Sequence, residues 1–374
     1  MSRPAPRTLI ACRRKDIRQT VVLEDEIPPL AQEEIRLHVD KVGLSANNLF
    51  YAQMGEAPFL KFFAVYPLGK DQADLAIVPA WGLATVIESN NPDFAVGERF
   101  RGFLHMTNVV QMKARRSPAG FTAHGGNRDK INPAYNDFLA VSEGAGSPFA
   151  GDGPKPDLAM TAAPGGLSGF ILAELLAMND FYDGNAVALT SASSKLSLAT
   201  ALELRRAREP GVLSSLVAYT SKGNRAFVEQ TGLYDHVLDY DQPLPDDANL
   251  KPVFIDVAGD AEVYRRDKSR WAKALAVGGT HGDAKASTFT AFGPSGFLKM
   301  FIDMVAPKRL QDWASRRLHP PLEMFFAPSV VNTLLDRWGR EELDRRSDEA
   351  LTRLVDAAID GGWIRVDRSE DTES

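Results

Sequence analysis

Two clusters of small, hydroxyl-bearing and cationic residues carry the clearest chemical signal in the sequence. The first follows the apolar run that ends at Thr190 and consists of Ser191, Ala192, Ser193, Ser194 and Lys195. Small residues let a backbone approach a ligand closely, and the amides at the start of a helix point at negative charge. This first cluster suits a pyrophosphate, although serine and alanine stand where a glycine fingerprint is expected and an ordinary strand-to-helix turn is the alternative.

The second cluster indicates which dinucleotide would bind. It follows another apolar run, residues 213–219, and contains Thr220, Ser221, Lys222 and Arg225. A carboxylate at this position would hold the ribose hydroxyls of NAD and repel a 2′-phosphate. Two cations and two hydroxyls without an acid are the composition expected for NADP(H), although Lys222 and Arg225 could instead be solvated residues at a helix start.

The elements around the two clusters predict how they are positioned. A helix with an apolar face follows the first cluster, with Ser193 or Ser194 as its cap, and a third short apolar run lies at 236–238. Strand, small-residue turn, helix and strand within about 30 residues form a βαβ unit. The sequence therefore predicts an α/β fold in which a Rossmann domain, a doubly wound parallel sheet, occupies residues 151–290.

Two further strand ends belong to this predicted sheet. One run ends on Ala258 and Gly259, and the next ends on Gly279, Thr280 and His281. Ligands of open α/β sheets lie outside the carboxyl ends of the strands, so both ends should face the cofactor. His281 is thus the histidine with a positional reason to contact nicotinamide or substrate, with a capping or surface role as the alternative.

Composition excludes several other classes of protein. The chain has 374 residues, 44% of them hydrophobic and 25% charged, with a net charge of −6, which is ordinary for a globular protein. No basic tract predicts a nucleic-acid partner, and no apolar run reaches the about 20 residues of a membrane span. Cys12 is the only cysteine, which excludes an internal disulfide and a cysteine-based zinc site. We expect a cytoplasmic protein.

The N-terminal part predicts short strands. Ile35, Leu37 and Val39 alternate with Arg36 and His38, which is typical of a half-buried strand, so His38 should point away from the apolar face. Such strands, followed by a Val-Gly-Glu-Arg-Phe turn at 96–100, resemble the GroES-like catalytic domain of the medium-chain dehydrogenase/reductase superfamily. A more specific resemblance is to the DUF2855 family. It rests on the motifs Val78-Pro79-Ala80-Trp81-Gly82, Pro133-Ala134-Tyr135-Asn136, Leu189-Thr190-Ser191-Ala192-Ser193-Ser194-Lys195, Asp256-Val257-Ala258-Gly259, Gly279-Thr280-His281 and Phe325-Phe326-Ala327-Pro328.

The resemblance implies an architecture and a zinc-free site. It places a GroES-like domain at 1–150, the Rossmann domain at 151–290, and a helical lid with a return to the catalytic domain at 291–374. Zinc-using members of the superfamily carry cysteine and histidine ligands that this sequence lacks. The zinc-free relatives are quinone and enoyl reductases, which use NADPH and take a proton from a tyrosine or a bound water.

The same resemblance implies catalytic candidates. Tyr51 is the leading proton donor, with an aromatic-cluster role as the alternative. Asn47 and Asn48 could orient a carbonyl or the nicotinamide amide, or serve as turn residues, and Tyr135 is expected in the cleft. Tyr66 and Lys70 have the spacing of a short-chain dehydrogenase pair, but the proline and glycine between them oppose a helix.

The sequence as a whole predicts a zinc-independent oxidoreductase of the medium-chain type that uses NADP(H) to reduce an activated C=C or C=O of a small organic substrate. No metal, nucleic acid or membrane partner is expected, and a homodimer is a possible assembly. The alternatives are a nucleotide-binding protein that keeps the fold without turnover, and a lyase or isomerase with tightly bound NADP.

Overall fold

The structure is a computed structural model that describes residues 3–44, 48, 51–52, 55–56, 61–131, 133–141, 147–151, 154–206, 213–277, 337 and 340–361. The chain divides into two compact units. The described part of the first unit ends at Ala150, and the second unit begins at Gly151. Residues 278–336 lie outside the described residues. The helical lid and the return of the chain to the catalytic domain, which were predicted for 291–374, therefore stay predictions.

The first unit contains a three-stranded sheet and a closed antiparallel barrel. The sheet has the order β2-β1-β4 and the barrel the order β3-β5-β6-β9-β8-β7. Buried side chains of alternating strand positions fill the barrel, among them Ile35, Leu37, Phe100, Phe121 and Phe138. The strands are β1 (Ala5–Arg13), β2 (Asp16–Ile27), β3 (Glu34–Val42), β4 (Leu75–Ala76), β5 (Pro79–Ser89), β6 (Arg99–His105), β7 (Val109–Ser117), β8 (Gly120–His124) and β9 (Asp137–Ala140).

Strand β3 confirms the predicted alternation. His38 is exposed as predicted, but only 4% of Arg36 is exposed. The guanidinium group of Arg36 pairs with Glu88 and donates a hydrogen bond to the Pro28 carbonyl at 2.9 Å. Because a buried charge is tolerated only when it is paired and hydrogen-bonded, these partners explain how the charge of Arg36 is tolerated.

The second unit is built on a five-stranded parallel sheet with the order β12-β11-β10-β13-β14. Its strands are β10 (Ala186–Leu189), β11 (Ser215–Thr220), β12 (His236–Asp239), β13 (Pro252–Asp256) and β14 (Lys273–Ala276). Its helices are α1 (Pro154–Met178), α2 (Lys195–Arg206), α3 (Arg225–Gln230), α4 (Ala261–Arg266) and α5 (Arg340–Asp360). The chain leaves the central strand β10 in both directions, which confirms the predicted doubly wound order.

Helix α1 begins at Pro154. A proline in the first turn fits a helix start, and the buried Leu158 and Ala162 anchor the first half. The two halves, Lys155–Ala163 and Ser168–Met178, meet at 53° around a proline and two glycines. No single helix of the described residues is long and apolar enough to cross a membrane. The two halves of α1 reach the required length and apolarity only when they are taken together, as a bent pair.

Two glycines of α1 allow it to cross α2 at short distance. A Cβ at Gly169 would lie 2.5 Å from the Ala199 Cβ and 2.7 Å from the Thr200 nitrogen, and one at Gly165 would lie 3.0 Å from the Leu196 nitrogen. Helix α5 packs on both helices. Its Arg353 donates two hydrogen bonds of 2.9 Å to the buried Glu203 of α2.

We expect Gly169→Ala to destabilise the protein by about 1–3 kcal/mol, because the new methyl group would meet backbone atoms of α2 that cannot move independently. Gly166→Ala is the matched control in the same helix. Its methyl group would meet only the side-chain ends of Leu351 and Leu354 at 3.2 Å, so a change within about 1 kcal/mol is expected. Urea unfolding of both variants measures the difference; equal stability would contradict the close crossing.

Candidate functional site

A buried threonine and a buried aspartate join the ends of two central strands. The Thr190 hydroxyl, directly after β10, donates to the Asp256 Oδ1 at 2.7 Å and accepts from the backbone amides of Val257 and Ala258 at 2.8 and 2.9 Å. The same Asp256 oxygen accepts from the Gly259 amide at 2.9 Å. The turn after β10 and the turn after β13 are therefore held together by one network.

The turn after β10 has a conformation that glycine usually provides. Ser191 has a φ of 49°, in the left-handed region, and its amide donates to the Tyr240 hydroxyl at 3.0 Å. Burial raises the pKa of Tyr240 to about 12, so this hydroxyl stays neutral at physiological pH. The carbonyl of the buried Ala192 accepts from Tyr234 at 3.2 Å. Tyrosines from outside the turn thus stabilise it where the glycine fingerprint is missing.

The next residues begin α2 as predicted. The Ser194 hydroxyl accepts from the Ser197 amide at 3.2 Å, which makes Ser194 the cap, whereas the Ser193 hydroxyl accepts from the Asn224 side chain at 3.1 Å. The amides of Lys195 and Leu196 begin the helix, where no intrahelical acceptor exists. The Asn224 bond places the first and second predicted clusters side by side.

The second cluster follows β11. Thr220 is buried, and its hydroxyl has no hydrogen-bond partner in the described part of the chain. Ser221 is exposed. Lys222 pairs with Asp241 at 3.2 Å, and both side chains are largely exposed. Arg225 is held more firmly, because Glu229 at 2.9 Å, Gln242 at 3.1 Å and Asp239 at 3.5 Å all accept from it or pair with it.

The third predicted part of the site is the turn after β13. Ala258 is buried, and Gly259 has a φ of 82°, a conformation in which a side chain would be strained. The structure thus brings the clusters after β10, β11 and β13 to the carboxyl edge of one sheet, as predicted. Gly279, Thr280 and His281 lie outside the described residues, and their role stays a prediction.

The residues at this edge fit a dinucleotide. The first amides of α2 suit a pyrophosphate, and the small residues of the turn leave room for it. The two cations after β11 lie beside this turn. Among the residues that the structure describes, no three His, Cys, Asp or Glu side chains are grouped so that they could hold a metal ion.

The three catalytic candidates lie in the first unit, and two of them share an aromatic cluster. The rings of Tyr51 and Tyr135 lie 4.9 and 5.1 Å from that of Phe62, between centroids. The half-buried Trp81 donates its indole hydrogen to the Tyr51 hydroxyl at 2.9 Å. Asn48 donates to the carbonyl of Pro79 at 3.1 Å; Pro79 begins β5, the strand that also contains Trp81. Asn47 is outside the described residues.

Burial holds the pKa of Tyr135 well above its usual value, and repulsion from the neighbouring Tyr51 when that residue is ionised raises the pKa further. Its hydroxyl is therefore protonated at neutral pH. Only 1% of Tyr51 is exposed, so its ring has the packing role that was the alternative to proton donation. These observations leave the assignment of Tyr51, Asn48 and Tyr135 as catalytic residues a prediction.

Tyr66 has a structural role, which agrees with the rejection of a Tyr66 and Lys70 pair. Its hydroxyl donates to the Phe103 carbonyl at 2.8 Å and accepts from the buried Arg128. Lys70 begins a separate 3₁₀ turn. No helix aligns the two side chains.

Sequence reasoning missed four residues that shape the site: Thr190, Asp256, Asn224 and Tyr240. Asp256 was visible as the acid at the end of an apolar run, but its partner Thr190 is 66 residues away. Tyr240 follows the third apolar run, at 236–238, and nothing in the local pattern links it to Ser191. A polar residue at the end of a buried strand was the available signal for the first two.

We expect Thr190→Val to destabilise the protein by about 3 kcal/mol. The buried Asp256 carboxylate and two backbone amides would each lose a hydrogen-bond partner, and valine, which has the shape of threonine, leaves no room for a water molecule to replace the hydroxyl. Thr190→Ser keeps the hydroxyl and should cost less than about 1.5 kcal/mol. Thermal unfolding compares the two variants. Similar losses for valine and serine would show that packing of the methyl group, and not the network, determines the stability.

Comparison with known proteins supports the fold. A comparison with curated proteins gives no match. Among solved structures, the mitochondrial 2-enoyl thioester reductase Etr1p/Etr2p heterodimer from Candida tropicalis is similar, with 12% identity, a TM-score of 0.50, and coverage of 96% of this chain and 90% of that chain. A mutant form of enoyl thioester reductase from Candida tropicalis gives the same values. At this identity the likeness concerns the fold, and it confirms the predicted GroES-like and Rossmann architecture.

The sequence itself matches a family. The family described as "Protein of unknown function (DUF2855)" matches residues 42–374. This range covers the second unit and the first unit from residue 42 onward, and it includes all the motifs on which the resemblance was based. The protein therefore belongs to the DUF2855 family.

Proposed function

We propose that the protein is a zinc-independent, NADPH-dependent reductase that transfers hydride to an activated C=C or C=O bond of a small organic substrate. One observation carries the cofactor assignment. The hydrogen bond from Asn224 to Ser193 joins the turns after β10 and β11, and the second turn presents Lys222 and Arg225 without any acid between Thr220 and Arg225. A 2′-phosphate would meet cations there, whereas NAD would lack its usual carboxylate.

The two cations would serve this phosphate differently. The Lys222 and Asp241 side chains are 75% and 67% exposed, and such an exposed ion pair contributes only about 0–1 kcal/mol. A phosphate can therefore replace Asp241 as the partner of Lys222 at small cost. Arg225 already has three oxygen partners. It would therefore attract the phosphate mainly through its positive charge and not through a direct hydrogen bond. Lys222 is the better candidate for binding the phosphate.

The reaction needs a hydride and a proton from different sources. Bound NADPH would supply the hydride. For the proton, Tyr51 is the proposed donor; its oxygen accepts the Trp81 indole hydrogen, which fixes the position of the hydroxyl group. Asn48 and Tyr135 would orient the substrate. The shared fold with an enoyl thioester reductase agrees with a C=C substrate.

A second candidate is a nucleotide-binding protein without turnover. The 1% exposure of Tyr51 favours it, because a proton donor must reach its substrate. NADPH binding without NADPH oxidation across a panel of enones and carbonyls would support this candidate. A lyase or isomerase with tightly bound NADP would instead form product with no net cofactor consumption. A homodimer and a cytoplasmic location stay predictions.

Titration of the full-length protein with NADPH and NADH, followed by tryptophan fluorescence, tests the cofactor. We expect NADPH to bind more tightly, and Lys222→Ala to weaken NADPH by about tenfold with little effect on NADH, because one charge-assisted contact is lost. Arg225→Ala should have a smaller effect. Lys251→Ala, an exposed lysine beside the opposite end of β13, is the matched control. Absence of binding by either nucleotide would refute the proposed function.

Steady-state kinetics with an accepted enone or carbonyl tests the proton donor. Tyr51→Phe should lower kcat by about 10² or more while the NADPH affinity is unchanged, because general acid catalysis is removed without loss of the ring. Tyr135→Phe removes a hydroxyl from the same cluster and should affect mainly KM. A kcat that falls for Tyr135→Phe but not for Tyr51→Phe would transfer the role of donor to Tyr135.

A further inference from the structure

A cavity of about 260 Å³ lies within the second unit, among α1, α2, α3 and α5. Its walls are mainly apolar. Four helices contribute these side chains, which include Leu158, Leu198, Phe227, Leu354 and Ala358. Every one of them except Phe227 is buried, so the cavity is part of the helical layer.

Three polar side chains also line this cavity, and two of them have partners. The Thr161 hydroxyl donates to the Leu158 carbonyl at 3.1 Å, and the Ser193 hydroxyl accepts from Asn224. The third is Lys195, whose amine has no hydrogen-bond or ion-pair partner among the described residues. The acid Asp356 of α5 is already paired with Lys155 at 2.8 Å.

The position of Lys195 is unfavourable for an ammonium group. Removal from water lowers its pKa, and no described carboxylate compensates for this loss of hydration. Lys195 therefore lines a mainly apolar cavity without a described partner for its charge. A bound anion would restore the missing interaction, and the apolar walls would bind a hydrocarbon part of the same molecule.

We propose that this cavity, the Lys195 pocket, binds a medium-chain carboxylate, with the carboxylate on the Lys195 amine and the acyl chain between α1 and α5. A cavity of about 150 Å³ holds benzene, so a cavity of this size admits roughly eight to ten carbon atoms. A single ammonium group matches the single charge of a carboxylate. The pocket adjoins the proposed pyrophosphate position, since Ser193 and Lys195 belong to both. The carboxylate would use the Lys195 side chain, whereas a pyrophosphate would use the amides of the turn.

Isothermal titration of the full-length protein with octanoate, and with octan-1-ol as its neutral counterpart, tests this proposal. Octanoate should bind about tenfold or more tightly than octan-1-ol, because only the carboxylate accepts a charge-assisted hydrogen bond. Lys195→Met should remove this preference and leave octan-1-ol nearly unchanged. Ala358→Phe, which fills the pocket, should weaken both ligands.

Two controls keep the test decisive. Lys155→Met removes a cation from α1, a helix that also lines the pocket, but Lys155 itself is not a lining residue. Octanoate binding by this variant should stay as in the wild type. NADPH titration of each variant reports separately on the nucleotide site, so failure of the proposed function and failure of this proposal are distinguishable. Absence of octanoate binding at millimolar concentration, equal binding of octanoate and octan-1-ol, or undiminished octanoate binding by a folded Lys195→Met variant would each overturn the proposal.

Discussion

The hydrogen bond between Thr190 and Asp256 is the interaction on which the nucleotide-binding edge depends. It joins the ends of β10 and β13 at the position where the strand order reverses, and it satisfies a carboxylate that is 1% exposed. Because the same oxygen atoms also receive backbone amides of the turn after β13, the position of that turn follows from the pair. Ligands of α/β sheets bind at such reversals, so stability and the geometry of the site rest on one contact.

The helical layer sets the position of the first turn from the other side. Gly169 lets α1 approach the backbone of α2, and Glu203 ties α2 to α5 through Arg353. The start of α2 is therefore held between the sheet and two long helices. This arrangement explains how a turn with serine at a left-handed position is tolerated: the surrounding contacts offset the strain of Ser191.

Much of the fold could be predicted from local patterns, because apolar runs bounded by small residues are sufficient to indicate the strands of a parallel sheet. The cations after β11 were equally visible. Features that depend on distant partners could not be predicted in this way. Arg36 is buried because Pro28 and Glu88 accept its hydrogen bonds, and the first half of α1 is helical because other helices cover it. Likewise, Tyr51 was recognised as a candidate, but its bond to Trp81 follows only from the folded barrel.

The position of α5 also has a consequence for how the chain folds. Its contacts with α1 and α2 join residues far apart in sequence, such as Lys155 and Asp356, which are 201 positions apart. During synthesis, the sheet and its first helices emerge long before α5, so the apolar faces that Leu351, Leu354 and Val355 will cover are exposed to water until then. Long-range closure of this kind slows folding, and the nascent protein is most prone to aggregation in this interval.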